Sequence, residues 1–208
     1  MDFYKIIIVP KKDGTLQIRP DWKVGRSTDL MTRGGSFYAV WDDAAGLWST
    51  DIYDVARLVD DDLFRYAKEQ EVKTGVVHSI ARLESNSTKL WEEFQRYLRN
   101  SGNNSHNLDT SLIFANTEVK KKDYASKRLG YALHEGAYNA WEALVGTLYN
   151  DEERAKIEWA IGAVVSGDSK FIQKFLVFYG PPGSGKSTIL NIIPVSYTHL
   201  TLPTNREV

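Results

Sequence analysis

The period of the hydrophobic pattern changes several times along the chain, and each change marks an element. Residues 3–9, FYKIIIV, form a β-branched run that stops at Pro10; Lys12-Asp13-Gly14 signals a turn, and residues 15–19 alternate, which predicts a hairpin. A second hairpin is expected from FYAVW (37–41) and LWST (47–50) around DDAAG, with Gly46 free to take a left-handed conformation. Behind Asp51 as a cap, Ile52, Val55, Leu58, Val59, Leu63 and Tyr66 recur at helical spacing and predict a helix to about Lys68. VVHSIARL (76–83) reads equally well as strand or helix. Leu90, Trp91, Phe94, Tyr97 and Leu98 share one face of a helix capped by Ser87 or Thr88 and ended by Asn100-Ser101-Gly102. A polar loop, SGNNSHNLD, follows, and SLIFA (111–115) is a short strand or the start of an extended segment.

Two further helices are expected from Ala137 to Leu148, with Tyr138, Trp141, Leu144, Val145 and Leu148 aligned, and from Asp151 to about Val165. The second carries a capping box, Asn150 with Glu153, and an apolar side of Ile157, Trp159, Ala160, Ile161 and Val164. Ser166-Gly167-Asp168 closes it, so the pair reads as a helical hairpin ahead of the apolar run Phe175 to Tyr179, which is expected to be a buried strand.

That run leads into the stretch with the clearest chemistry. FLVFYGPPGSGKSTILNII has the spacing G-x-x-x-x-G-K-[ST], the Walker A loop, with Gly180, Gly185, Lys186 and Ser187 at the fixed places. Pro181 and Pro182 extend the loop, and Gly183, Ser184 and Gly185 are small enough for the backbone to wrap round a phosphate with its N–H groups inward. Lys186 is the expected catalytic contact to the β- and γ-phosphates of ATP, and the Ser187 hydroxyl the expected Mg²⁺ ligand. Thr188 sits in the first helical turn, where unpaired N–H groups and the helix dipole favour an anion.

Other chemistry-bearing residues have blander readings. Trp41 and Trp48 invite base stacking, but aromatic residues on strands more often pack across the sheet. Asp60, Asp61 and Asp62 are adjacent on a helix, where consecutive side chains fan over about 200° of arc. They cannot converge on one ion, and a solvated acidic edge is expected. His78, His106, His134 and His199 share no metal-ligand spacing. Lys120, Lys121, Lys122, Lys127 and Arg128 form the main basic cluster, read either as solvated surface or as a DNA phosphate contact.

Composition narrows the class little. The chain has 208 residues, 42% of them hydrophobic and 25% charged, with a net charge of −1, the balance of an ordinary globular protein. It has no cysteine, which excludes disulfides, thiolate zinc sites and thiol catalysis and fits a cytoplasmic setting. No apolar run approaches the roughly 18 residues that span a bilayer, and no secretory signal opens the chain. After the loop, Pro194 is expected to end the helix within two turns. VSYTHLTLPTNREV (195–208) resembles adapter-derived read-through and is expected to be non-native, so the sequence reads as cut short.

Three segments taken together, residues 29–51, 115–133 and 148–193, resemble the phage and plasmid primase-helicases of the D5-like group, whose motor belongs to helicase superfamily three. The resemblance implies a replication ATPase that assembles as a ring, a hexamer, and moves on single-stranded DNA in a bacterial host cell, using ATP and Mg²⁺. Only the loop residues Gly180, Gly183, Gly185, Lys186, Ser187 and Thr188 carry over; the second acidic motif, the sensor and the arginine finger have no counterpart here. The organisation expected is a β-rich region (1–83), a mainly helical region (84–168), the start of a P-loop ATPase domain (169–193) and the non-native tail (194–208). The fold class is an α+β amino-terminal region with a helical subdomain, followed by the truncated start of an α/β P-loop NTPase domain. This chain alone is expected to be inactive. A non-enzymatic DNA-docking or assembly module is one alternative, and a small-molecule P-loop kinase is another, although such kinases place the loop nearer the start of the domain.

Overall fold

The amino-terminal run pairs as its pattern predicts. In the computed structural model, which describes residues 1–23, 25–84 and 89–201 and, for 169–170 and 195–201, the backbone alone, β1 (Tyr4–Pro10) is antiparallel to β2 (Leu16–Trp22). Gly14 takes φ +81° in the turn, and the Asp13 carboxylate accepts from both the amide and the hydroxyl of Thr15. The remaining elements are β3 (Leu30–Arg33), β4 (Ser36–Asp42), β5 (Leu47–Ser49), α1 (Ile52–Thr74), β6 (Ser79–Ile80), α2 (Lys89–Asn100), a 3-10 turn (Lys121–Asp123), α3 (Asn139–Leu148), α4 (Asp151–Ser166), α5 (Ser169–Ile172) and α6 (Lys186–Thr201). The fold is mixed α+β with two small sheets, ordered β1-β2-β6 and β3-β4-β5. Among the described residues no helix is long and apolar enough to cross a membrane.

Two compact units divide the chain: Met1–Thr110 with Val119–Ser126, and Ser111–Glu118 with Lys127–Val208. In the first, α1 and α2 pack on the strands round Phe3, Ile18, Leu30, Val40, Val59, Leu63 and Phe94, all almost wholly buried. Asp51 caps α1 by accepting from the Tyr53 amide; the helix then runs past Lys68 through good helix formers to Gly75, whose φ of +71° ends it. On α2 the predicted face is the buried one, at Leu90, Phe94, Tyr97 and Leu98. The Ser87 or Thr88 cap lies outside the described residues. The second hairpin forms with Trp41 opposite Trp48, and the two rings meet edge to face at 5.8 Å in a buried cluster with Met31 and Ala39. These tryptophans are cross-strand packing.

The acidic triplet departs from expectation. Asp61 is exposed, but Asp60 faces the core between Val59 and Leu63 and accepts from the amides of Leu83 (2.6 Å) and Glu84 (3.2 Å). Burial pushes the Asp60 carboxyl above the usual range, against those two amides and Arg82, which pull it down. Asp62 accepts from the Tyr4 hydroxyl and pairs with Arg65. The triplet fans out as helix geometry requires, but the member that points inward ties α1 to the chain that follows β6. A solvated edge is therefore the wrong description of Asp60: the turn at residues 83–84 has donors to satisfy, and a carboxylate satisfies two.

In the second unit, SLIFA forms no strand and runs extended: Ile113 O accepts from the Leu129 amide, and the Ala115 amide donates to Tyr131 O. The hairpin of α3 and α4 forms with the predicted capping box, Asn150 and Glu153 bonding each other's backbone amides, and Gly167 at φ +77° ends α4. Arg154 clamps the pair with two 2.6 Å bonds to Glu142 of α3 and one of 2.8 Å to Glu158. Trp159, expected on the apolar side, is 57% exposed, while Ile157 is buried.

Two expectations fail here. Phe175 to Tyr179 is not a buried strand: residues 173–180 have no regular structure, Tyr179 is 99% exposed, and Phe178 alone of the run is packed, against the α3–α4–α6 cluster. A strand needs neighbours to take its N–H and C=O groups, and among the described residues none pairs with this one. Pro194 does not stop α6, which continues to Thr201: the missing donor and the ring's clash with the carbonyl four residues back weaken a helix at that turn without obliging it to end there. Residues 202–208 of the expected non-native tail lie outside the described residues.

Candidate functional site

The glycine-rich loop is mounted on the helical hairpin. Its helix, α6, inserts Ile189 between Val145 of α3 and Ile157 of α4, with Trp141, Leu144, Tyr149, Ile161, Ile192 and Ile193 round them. Ile189 and Val145 are wholly buried, so the start of α6 is fixed by apolar burial, roughly 1.5–3 kcal/mol for a side chain of this size. The loop then turns on three glycines, Gly180 (φ +155°), Gly183 (φ +81°) and Gly185 (φ +75°), in conformations that residues with a Cβ rarely adopt. A Cβ at Gly185 would also lie 2.4 Å from Leu148 Cδ1, so a larger residue there would have to push the end of that side chain aside.

This conformation leaves the loop's donors unspent. From Gly183 to Thr188 no backbone N–H donates to an acceptor among the described residues; the first helical bond runs from the Ile189 amide to Gly185 O at 3.1 Å. Six consecutive N–H groups without partners at the mouth of a helix make a region of positive potential. Lys186 folds over it. Its ammonium donates to Gly180 O (2.9 Å), Pro181 O (2.7 Å) and Ser184 Oγ (2.9 Å), so it lies across the loop. Ser187 and Thr188 are exposed in the first turn of α6. Behind the loop, the Tyr149 hydroxyl at the end of α3 donates to Ser184 O at 3.0 Å. Sequence reasoning missed this contact, because a lone tyrosine after a helix carries no signal.

Charge round the hairpin is self-neutralising. The Glu142 and Glu158 carboxylates hold the Arg154 guanidinium above its ordinary value, and Arg154 in turn holds Glu142 below its own. Among the described residues no group of three or more His, Asp or Glu side chains converges as a metal site.

The basic cluster is split between the units. Lys120, Lys121 and Lys122 belong to the first, Lys127 and Arg128 to the second. Residues 119–126 fold back on the second sheet: Trp48 donates from its amide to Ala125 O and from its indole to Lys121 O, and Tyr124 stacks on His106 at 4.2 Å. Lys121 pairs with Asp29 and lies 6.0 Å from the Trp41 ring. Lys120, Lys122, Lys127 and Arg128 are exposed.

Volume does not choose the site. A hollow of about 740 Å³ opens in the first unit beside Gly35, Phe37, Asp51, Gln95 and Arg99, and another of about 420 Å³ beside Trp22, Lys89 and Arg96. Asp51 is already spent capping α1, and neither hollow has the Walker A spacing or a lysine laid across consecutive glycine-rich amides, as the loop has. Comparison of the chain with protein-family models, with curated proteins and with solved structures finds no match. The assignment therefore rests on the residues themselves.

Proposed function

We propose that Gly180 to Thr188 binds the phosphates of ATP, and that the chain is part of a phage- or plasmid-encoded motor that couples ATP hydrolysis to movement on single-stranded DNA inside a bacterial host cell. The observation that carries the first half is the row of unpaired amides from Gly183 to Thr188 with an ammonium laid across it. The residues fit a triphosphate: successive N–H groups of a glycine-rich turn at a helix start are the donors that phosphate oxygens take in place of water. Lys186 would exchange two carbonyls and a hydroxyl for phosphate oxygens, a stronger, charge-assisted bond. Ser187 would give one oxygen to Mg²⁺, and bound ATP would supply the transferable phosphoryl group.

The second half is supported by the sequence resemblance and by the exposed Lys120, Lys122, Lys127 and Arg128. Lys121 is withdrawn from the DNA-contact set by its pairing with Asp29. The Lys186 ammonium bonds only neutral oxygens, those of Gly180, Pro181 and Ser184, so nucleotide binding is the property assigned to the loop. Calorimetric titration of the 208-residue chain with ATP and Mg²⁺ tests the first half. Binding that Lys186→Ala weakens about 10- to 100-fold, the worth of a charge-assisted bond, is expected. No binding by the wild type would overturn it. For the second half, the whole motor's ATP turnover rises with single-stranded DNA; turnover indifferent to DNA but raised by a small phosphoryl acceptor would reverse it in favour of a kinase.

A further inference from the structure

We infer that Tyr149 is a positioning residue for phosphate binding, acting through the peptide that joins Ser184 to Gly185; the inference rests on the ATP-binding reading above. Tyr149 ends α3, where its amide donates to Val145 O at 2.9 Å, and its ring packs with the Val145, Ile157 and Ile189 cluster. The ring is thus held by the same contacts that hold α6, and its hydroxyl reaches Ser184 O across 35 residues of sequence. In a trans peptide the C=O and the following N–H point to opposite sides. With its carbonyl tied back to Tyr149, this peptide presents the Gly185 N–H on the far side, away from α3, and that N–H has no acceptor among the described residues. The approach is close enough that a Cβ at 185 would lie 2.4 Å from Leu148 Cδ1, so glycine is what lets this peptide sit against the end of α3.

The restraint matters because the loop is otherwise free to flip. Flipping the 184–185 peptide changes ψ of Ser184 and φ of Gly185, and a glycine at 185 accepts either sign of φ, so the rotation meets little steric resistance. A flipped peptide would offer an anion the Ser184 carbonyl oxygen in place of the Gly185 N–H, replacing attraction with repulsion. The Tyr149 hydroxyl selects the binding form before the ligand arrives. One neutral hydrogen bond biases such an equilibrium by about three- to tenfold.

The test is Tyr149→Phe in the full chain, titrated with ATP and Mg²⁺ beside the wild type, with spectra of ¹⁵N-glycine-labelled protein before ligand is added. The expected result is a Kd raised about three- to tenfold, a melting temperature lowered by only a few degrees, the worth of one hydrogen bond, and a shifted Gly185 amide while Gly162 of α4 and Gly167 at its end stay in place. Equal affinity in the two proteins would overturn the role of Tyr149 and leave ATP binding standing. A wild type that does not bind ATP would overturn the ATP reading, and the inference with it.

Discussion

The two units spend their polar groups in opposite ways. In the first, nearly every buried or half-buried charge is committed: Asp60 to two amides, Asp42 to Arg57 and the amides of Ala44 and Ala45, Asp2 to residues 27–29, Asp29 to Lys121. Its apolar cluster extends from Phe3 to Leu98. In the second, the buried cluster is Val145, Ile157 and Ile189, and a row of amides stands open above it. The contrast teaches where to look for chemistry: the first unit turns its half-buried carboxylates on its own donors, whereas the loop's amides face solvent, where water holds them until an anion displaces it.

Substitutions sharpen this contrast in order of size. Phe94→Ala removes a wholly buried ring from the larger core and is expected to cost about 3–5 kcal/mol by urea unfolding. Ile189→Ala, in the thin core, is expected near the lower end of the isoleucine range, about 2 kcal/mol, because neighbours such as Ile192 and Ile193 can close on the gap. If Ile189→Ala cost more than Phe94→Ala, the ranking of the two cores would be reversed. Asp60→Ala strands the Leu83 and Glu84 amides and should cost about 1–3 kcal/mol, with Asp60→Asn recovering part because its amide oxygen can still accept.

Acid titration separates two carboxylates of the same unit by sign. Burial pushes Asp42 up, but Arg57 and the two turn amides outweigh it and hold its carboxyl below the ordinary value of 3.8. Its folded value is the lower one, so its contribution is fully present above the unfolded value and is lost as pH falls through the folded one. The stability advantage of the wild type over Asp42→Asn should shrink on acidification below that range. Asp60 is the reverse: its folded value is raised, so its contribution is largest at low pH and declines as pH rises from the unfolded value through the folded one. The smallest effect is expected at Lys122→Ala, within about 0.5 kcal/mol, against about 1 kcal/mol for Lys121→Ala, which removes the ion pair but leaves Asp29 the amide of Asp2.

What the sequence made legible was local. The β1–β2 hairpin, the buried face of α2, the Asn150–Glu153 box and the glycines that end turns all follow from residues within a few positions of one another. What it hid was long-range pairing. The apolar run at 175–179 announces a need for burial but not a partner, and here it has no strand beside it. β3 and the two-residue β6 are too short to show a period, and β6 exists because β2 offers it an edge. Asp60 looked like surface because a carboxylate is usually solvated; two amides 23 and 24 residues away decide otherwise. In the candidate site the loop was legible from its spacing alone. The hold of Leu148 and Tyr149 on its back was not, since nothing in a helix-ending Leu-Tyr pair foretells what will pack on it.

The measurement that bears most directly on the open amides is a ¹⁵N spectrum of the full chain during titration with ATP and Mg²⁺. The N–H resonances of Gly183, Ser184, Gly185, Lys186 and Ser187 should move together and saturate, and Lys186→Ala should abolish or greatly weaken the response. Resonances that hold still while ATP is added to millimolar excess would contradict the account.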